Sequence, residues 1–335
     1  MDQDFILKRE DEYTHVPDVD MVNYNESVYV NGFDGKHEVG GWMRLGNRAN
    51  EGHAELAVCL YLPGGRVACQ FKKPRIENNE KLDAGGLRYE VLEPLKSVRM
   101  SYKGSLMVLD DPGVLRKPES MAEHARKTTG SVVWNQVAMS PVHGGVPISD
   151  EVDTYYGRDF SFAHFNQHMR VTGHIQVGDE RWDLDGKGWR DHSWGPRYWQ
   201  NIYFYRLYIA NFEDGRGLML LKITDRDGTT RRRGVLLVDG QYEEVIDMDV
   251  ISTWTPLGEP TVAQIAIRTA KRGVMVRAQV ITSAPLRHRR MIGGQMVASR
   301  IVEAFGRYEW DGVNGWGMLE YNDLVDGEQP IGVPF

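Results

Sequence analysis

The stretch from Gly186 to Arg206 is the part of the chain densest in side chains able to do chemistry. Asp191 and His192 stand there among Trp182, Trp189, Trp194 and Trp199, and Tyr203, Tyr205 and Arg206 follow. Aromatic rings around a carboxyl group desolvate it, which raises its pKa and keeps a proton on it near neutrality. Such a group can act as a general acid. Indole and phenol faces would also stabilise a developing cation by roughly 0.5–2 kcal/mol each. An acid beside π-faces suits protonation of an alkene or ionisation of a tertiary alcohol. A structural reading stands beside this one. Arg190 and Arg197 flank the acid and would hold it ionised as a strut between strands, with the tryptophans as ordinary core.

Other clusters point less far. His164 and His168 are four apart, a metal-chelating spacing on a helix. Their surroundings read as strand, where that spacing separates the rings by about 13 Å at ~3.3 Å per residue. No metal site is therefore expected, and His164 is kept as a polar partner in a pocket. Arg231-Arg232-Arg233 reads as a solvated hairpin, and Arg287-His288-Arg289-Arg290 as a basic cluster that could touch an acidic partner. There is no GxxxxGK[ST] and no GxSxG, and Gly186-x-Gly188 lacks the third glycine and the helix of a dinucleotide site. No cofactor is expected.

The elements that must position these residues are strands. Asp-Gly occurs seven times, starting at 34, 185, 214, 227, 239, 311 and 326, and favours the positive-φ turns of tight hairpins. Between the pairs at 214, 227 and 239 lie short apolar runs, Leu218–Thr224 and Gly234–Val238, which read as an antiparallel meander. Thr261–Arg268 and Gly273–Ile281 continue it, and Ala54–Leu62 with Arg66–Phe71 form a hairpin in the first half. The pattern predicts two β-units in tandem, each a barrel or sandwich, divided as 1–180 and 181–335. Pro118–Lys127 is the best helix candidate, set in a long loop from about 109 to 154.

Composition agrees and excludes several classes. Glycine reaches 36 of 335 residues, with 9 Trp and 15 Tyr, the usage of a β-rich protein. The net charge of −7 argues against a nucleic-acid binder. No apolar window is long enough for a spanning helix, and the acidic first residues are not a signal peptide. Only Cys59 and Cys69 are present, read as buried thiols in a cytoplasmic protein.

The pattern Gly186-x-Gly188-x-x-Asp191-His192-x-Trp194-Gly195, followed by an aromatic strand, resembles the signature of the carotenoid 1,2-hydratase (hydroxyneurosporene synthase) superfamily. That group includes kievitone-hydratase-like proteins, AttH-like proteins and fungal Diels–Alderases. The resemblance is sharp over about 165–225 and looser elsewhere. It implies an all-β chain of two lipocalin-like antiparallel barrels with little helix, doing cofactor-free chemistry on hydrophobic, terpenoid-like or polyketide-like molecules. Ser193 departs from the Asn expected of the carotenoid enzymes, so a carotenoid substrate is not carried over.

The expectation is thus a lyase or isomerase of hydratase, dehydratase or cyclase type. Asp191 would give the proton and His192 would assist or relay it. Trp189, Trp194, Trp199, Tyr203, Tyr205, Arg206 and His164 would bind a hydrophobic small molecule. Two alternatives stand beside it: a non-catalytic carrier, and a pericyclase working by pocket shape. Sequence leaves a homodimer open.

Overall fold

The computed structural model describes residues 4–152, 154, 157, 161–198, 202–292, 295–327 and 329–331. Among them, the chain is all-β apart from short 3₁₀ turns and one α-helical turn, Met121–His124. The first sheet begins with β1 (Phe5–Ile6), β2 (Tyr24–Asp34), β3 (Val39–Arg48), β4 (His53–Leu62), β5 (Arg66–Lys72) and β6 (Asp83–Ala84). It continues through β7 (Leu87–Glu93), β8 (Ser97–Leu109), β9 (Arg126–Ala138), β10 (His143–Pro147), β11 (Ala163–Val177) and β12 (Glu180–Pro196). Pairing runs β11–β12–β2–β3–β4–β5–β8–β9 and returns to β11, so the sheet closes into a ring. Closure removes the open strand edges that would otherwise invite aggregation.

The second sheet holds β13 (Ile202–Phe212), β14 (Gly217–Asp225), β15 (Thr230–Val238), β16 (Gln241–Trp254) and β17 (Pro260–Thr269). It ends with β18 (Gly273–Ile292), β19 (Gln295–Trp310), β20 (Val313–Asp326) and β21 (Gln329–Pro330). Here β13 to β20 follow one another as a meander, and β13 pairs with β20 to close an eight-stranded barrel. The Asp-Gly pairs do the work expected of them at two of its hairpins. Asp239-Gly240 and Asp311-Gly312 both take positive φ, at 51° and 73° and at 50° and 76°, as a type I′ turn requires.

Three expectations are corrected. The boundary placed at 180/181 instead follows β12, because that strand pairs with β11 and β2. The first compact unit comprises residues 1–63, 68–108 and 126–199, and the second comprises 64–67, 109–125 and 200–335. The long loop expected over 109–154 contains β9, which closes the first ring, and the helix within it is a single turn. Asp185-Gly186 is not a turn but lies inside β12.

Each ring has its own apolar interior. In the first, Val28, Val30, Met43, Leu45, Leu56, Val58, Met100, Trp134, Met169, Val171 and Ile175 pack together. In the second, Tyr208, Leu218, Leu220, Leu236, Ile265, Val302, Tyr308, Trp310 and Leu319 do so. Strand alternation makes these faces lumenal, and period two assigns the face of every other residue. Cys59 and Cys69 are free and buried. No described helix is long and apolar enough to cross a membrane.

Candidate functional site

The two faces of β12 carry different chemistry. Glycine allows the strand to lie very close to β2: a Cβ on Gly186 would stand 2.1 Å from the Phe33 carbonyl oxygen, and one on Gly188 would stand 2.0 Å from that of Asn31. Larger residues would push β12 off its neighbour and lose the register that follows. In that register Asp191 lies between Asn166 and Tyr29, while His192 lies between Phe165 and Val28. Val28 belongs to the lumenal core. His192 therefore faces the lumen and Asp191 faces outward.

Around Asp191 the outward face is largely buried and carries polar side chains, whereas Arg181, Asp183 and Asp185 farther along it are exposed. Asp191 Oδ2 lies 3.7 Å from His164 Nε2, with its side chain one-fifth exposed. Arg197 Nη2 donates to Ser193 Oγ at 2.7 Å. Burial, then the neighbouring Arg44, pull the Arg197 guanidinium down to about 9, while Asp191 opposes the shift. Trp189 meets the His168 ring edge-on with centroids 4.6 Å apart. Complete burial, then Lys187, drive His168 down to about 3, so its imidazole is neutral. Asp191, Trp189 and His164 thus share this face. The aromatic cage expected around Asp191 is divided, because Trp194 pairs with Ala163 and Glu26 on the lumenal side. His192 is likewise turned away and is not placed to relay a proton from Asp191.

The lumenal face holds residues that sequence spacing did not single out. Glu26 Oε1 accepts from His192 Nε2 at 2.7 Å and from His15 Nδ1 at 2.9 Å. Its Oε2 accepts from the Tyr24 hydroxyl, Asn79 Nδ2 and the His15 backbone N–H at 2.7, 2.8 and 2.9 Å. Burial alone would raise this carboxyl, but hydrogen bonds and charge from the two histidines outweigh it and hold Glu26 at about 2. Trp194 stacks on His15 with centroids 3.9 Å apart. Next along the wall, buried Glu12 pairs with Arg190 Nη1 at 2.5 Å and accepts from the Tyr89 hydroxyl and the Leu95 N–H. Arg190 also donates twice to Gln167 Oε1. Arg190, expected to neighbour Asp191, instead serves this network on the other face. Glu26 and His192 are 166 positions apart, so no local motif could join them.

The remaining candidates lie in the second unit. Arg206 faces the lumen, as Phe204 and Tyr208 do, and its Nη2 donates to Asp323 Oδ1 at 2.6 Å. Its guanidinium carbon stands 4.6 Å from the Tyr321 ring centre, 4.9 Å from Phe204 and 5.7 Å from Trp254. Tyr205 faces the other way and donates its hydroxyl to Glu320. Glu303 pairs directly across from Glu320, and both are buried. Desolvation, then the Glu320 charge, hold Glu303 well above the usual carboxylate range. Tyr203 lies where the β13–β14 register shifts. Trp199 lies outside the described residues.

With the geometry in view, comparisons with solved structures place the fold. An AttH-like protein from Nitrosomonas europaea superposes with a TM-score of 0.62 at 14% identity, covering 97% of this chain and 99% of that one. CghA in its structure with Sch210972 gives 0.59 at 11% identity, covering 98% of each chain. Kievitone hydratase from Nectria haematococca gives 0.52 at 10% identity, covering 95% and 93%. At these identities the likeness is one of fold, and it bears out the resemblance seen in the Gly186–Gly195 motif. No curated protein matches the sequence. A family model, described as Domain of unknown function (DUF7064), matches residues 8–325, and the chain belongs to that family.

Proposed function

We propose that the protein is a cofactor-independent lyase or isomerase of hydratase, dehydratase or cyclase type, acting by acid catalysis on a hydrophobic, terpenoid-like or polyketide-like substrate. The observation that carries this is the Asp191–His164 pair, 3.7 Å apart on a largely buried face. A protonated Asp191 would pass its proton to an alkene carbon or a tertiary hydroxyl. Protonation of the alkene gives a carbocation directly, and protonation of the hydroxyl gives one as the C–O bond breaks and water leaves. The carbocation is quenched by adding water or by losing a neighbouring proton, and the carboxylate takes a proton back. Each overall change is redox-neutral, so the atoms balance without an external oxidant or reductant. His164 supports the cycle as the neighbouring base that receives and returns the proton. Trp189 supplies an aromatic surface on the same side of β12. A fold shared with a hydratase supports the reaction class.

The test uses the whole chain and a panel of apolar alkenes and tertiary alcohols, with mass spectrometry reading gain or loss of water or isomerisation. Asp191→Asn keeps the shape but cannot pass on a carboxylic proton. It should fold, retain binding and lose turnover by roughly 10²–10⁴. A stable, binding-competent variant with near-normal turnover would remove Asp191 from the mechanism and favour catalysis by pocket shape. Panel members bound and released unchanged by the wild type would indicate a carrier. A variant that melts early and loses activity only in proportion would identify Asp191 as a strut.

A further inference from the structure

We propose that His15, Glu26 and His192 form a binding site for one divalent transition-metal ion of the zinc class, inside the first barrel and independent of the Asp191 chemistry. The three side chains each offer one ligand atom, and these atoms all lie within 4.8 Å of one another. Two imidazole nitrogens and a carboxylate oxygen are a donor set that suits zinc and its neighbours. The atoms that would bind are His15 Nδ1, Glu26 Oε1 and His192 Nε2, since the carboxylate oxygen already lies 2.9 and 2.7 Å from the two nitrogens. Zinc bonds of about 2.0–2.2 Å at tetrahedral angles put ligand atoms roughly 3.3 Å apart. Each contact therefore has to open by roughly half an ångström as the ion replaces the protons now bridging them.

The surroundings are those of a built site. The second carboxylate oxygen is fixed by Tyr24, Asn79 and the His15 backbone, which leaves Oε1 aimed at the two rings. Outer partners of this kind orient metal ligands. Asp11 Oδ1 lies 3.7 Å from His15 Nε2, the far side of that ring, and would have to close to hydrogen-bond distance to act as the carboxylate partner of a metal-bound imidazole. His192 is wholly buried and its Nδ1 has no hydrogen-bond partner among the described residues. Its proton can therefore move to Nδ1 and free Nε2 for a metal without breaking a contact there. Trp194 covers His15, and Phe165 lies 5.4 Å from the His192 ring centre. With one carboxylate and two neutral imidazoles the ion keeps one positive charge, which an anion or hydroxide in the open position would balance. Three protein ligands leave a fourth position for water or an exogenous ligand, the pattern of an open rather than a closed zinc site.

The experiment titrates chelator-treated full-length protein with Zn²⁺ by calorimetry in two buffers of different protonation enthalpy. Co²⁺ absorption then reports the coordination geometry. One ion per chain and the intense visible bands of tetrahedral Co²⁺ are expected, and the two buffers report whether any proton leaves the protein on binding. His192→Gln should weaken binding by roughly 100-fold or more, and Asp11→Asn by the 10–100-fold typical of an outer partner. His15→Asn provides a second ligand variant that leaves the His192–Glu26 pair in place, so a folding defect in one variant does not decide the outcome. Absence of stoichiometric binding in the wild type would overturn the proposal. So would one-to-one binding that persists unchanged in folded His15→Asn and His192→Gln proteins.

Discussion

The two barrels both admit charge to their lumenal faces but anchor it differently. The first admits Glu12, Glu26, Arg190 and His192 to its lumenal face, each held by partners from distant parts of the chain. The second also carries charge on its lumenal face: Asp323 accepts from both Arg206 and Arg300, Glu243 accepts from Arg272, and Arg206 lies against three aromatic rings. Its demanding acidic pair, Glu303 and Glu320, sits on the outward face. A buried pair of opposite charge is strongly disrupted when one partner is lost, whereas an aromatic cage loses mainly packing. The first barrel thus ties its N-terminal segment to the lumenal wall by polar contacts that all depend on one another. In the second, the lumenal charges of Arg206, Arg300 and Asp323 pair between adjacent strands of the barrel itself.

The sharpest way to break this contrast is to remove one partner of the Glu12–Arg190 pair. Arg190→Met leaves Glu12 buried without a counter-charge and should cost about 3–5 kcal/mol of stability. Chemical denaturation would register it. The double variant Glu12→Gln with Arg190→Met should recover much of the loss, because no isolated charge remains. A loss below about 1 kcal/mol in the single variant would mean that the lumenal network is not a stabilising unit.

Acid comes next. Glu26 sits at about 2 against its usual 4.5, and His168 at about 3 against 6.5. In both cases the unfolded chain binds a proton that the folded chain refuses. Stability is therefore full above the unfolded pKa and falls as pH drops, from 6.5 to about 3 for His168 and from 4.5 to about 2 for Glu26. Each contributes a slope of about 1.4 kcal/mol per pH unit within its window. Urea midpoints measured in a Glu303→Gln background, which removes the opposing contribution of that carboxyl above pH 4.5, should fall steadily across this range, and adding His168→Gln should flatten the limb between pH 6.5 and 4.5. A flat profile in that background would contradict both assignments.

The smallest expected effect has the opposite sign and belongs to the second barrel. Glu303 is held above the usual range, so above pH 4.5 the folded chain keeps a proton that the unfolded chain releases. Stability therefore falls as pH rises from that point. Glu303→Gln supplies a neutral group of the same shape and should gain roughly 1–3 kcal/mol at neutral pH, the cost of an unsatisfied buried group. The gain should fade below pH 4.5. A loss at neutral pH would show that Glu303 is ionised and paired.

Much of the fold could be read from residue order alone. Leu218–Thr224, Gly234–Val238, Thr261–Arg268 and Gly273–Ile281 all lie within observed strands, because side-chain period and turn chemistry are local properties. The strand β9 was missed because Arg126–Ala138 mixes basic, threonine and apolar residues without clean alternation. Its partners β8 and β11, rather than its own pattern, make it a strand.

For the site, the sequence by itself determined which residues carry chemistry on β12 and that neighbours along a strand must point to opposite faces. Adjacency in sequence therefore already set Asp191 and His192 apart once the segment was known to be a strand. Only the tertiary structure decided which face was the lumen, since that depends on which side of the sheet closes around the core. It alone brought Glu26 to His192 through the β2–β12 pairing, and Glu12 and His15 to Arg190 and His192 through the packing of the N-terminal segment, because separations of this kind leave no trace in spacing. The same holds for His164 beside Asp191: the histidine was legible as a polar candidate, but its partner was fixed by the β11–β12 register.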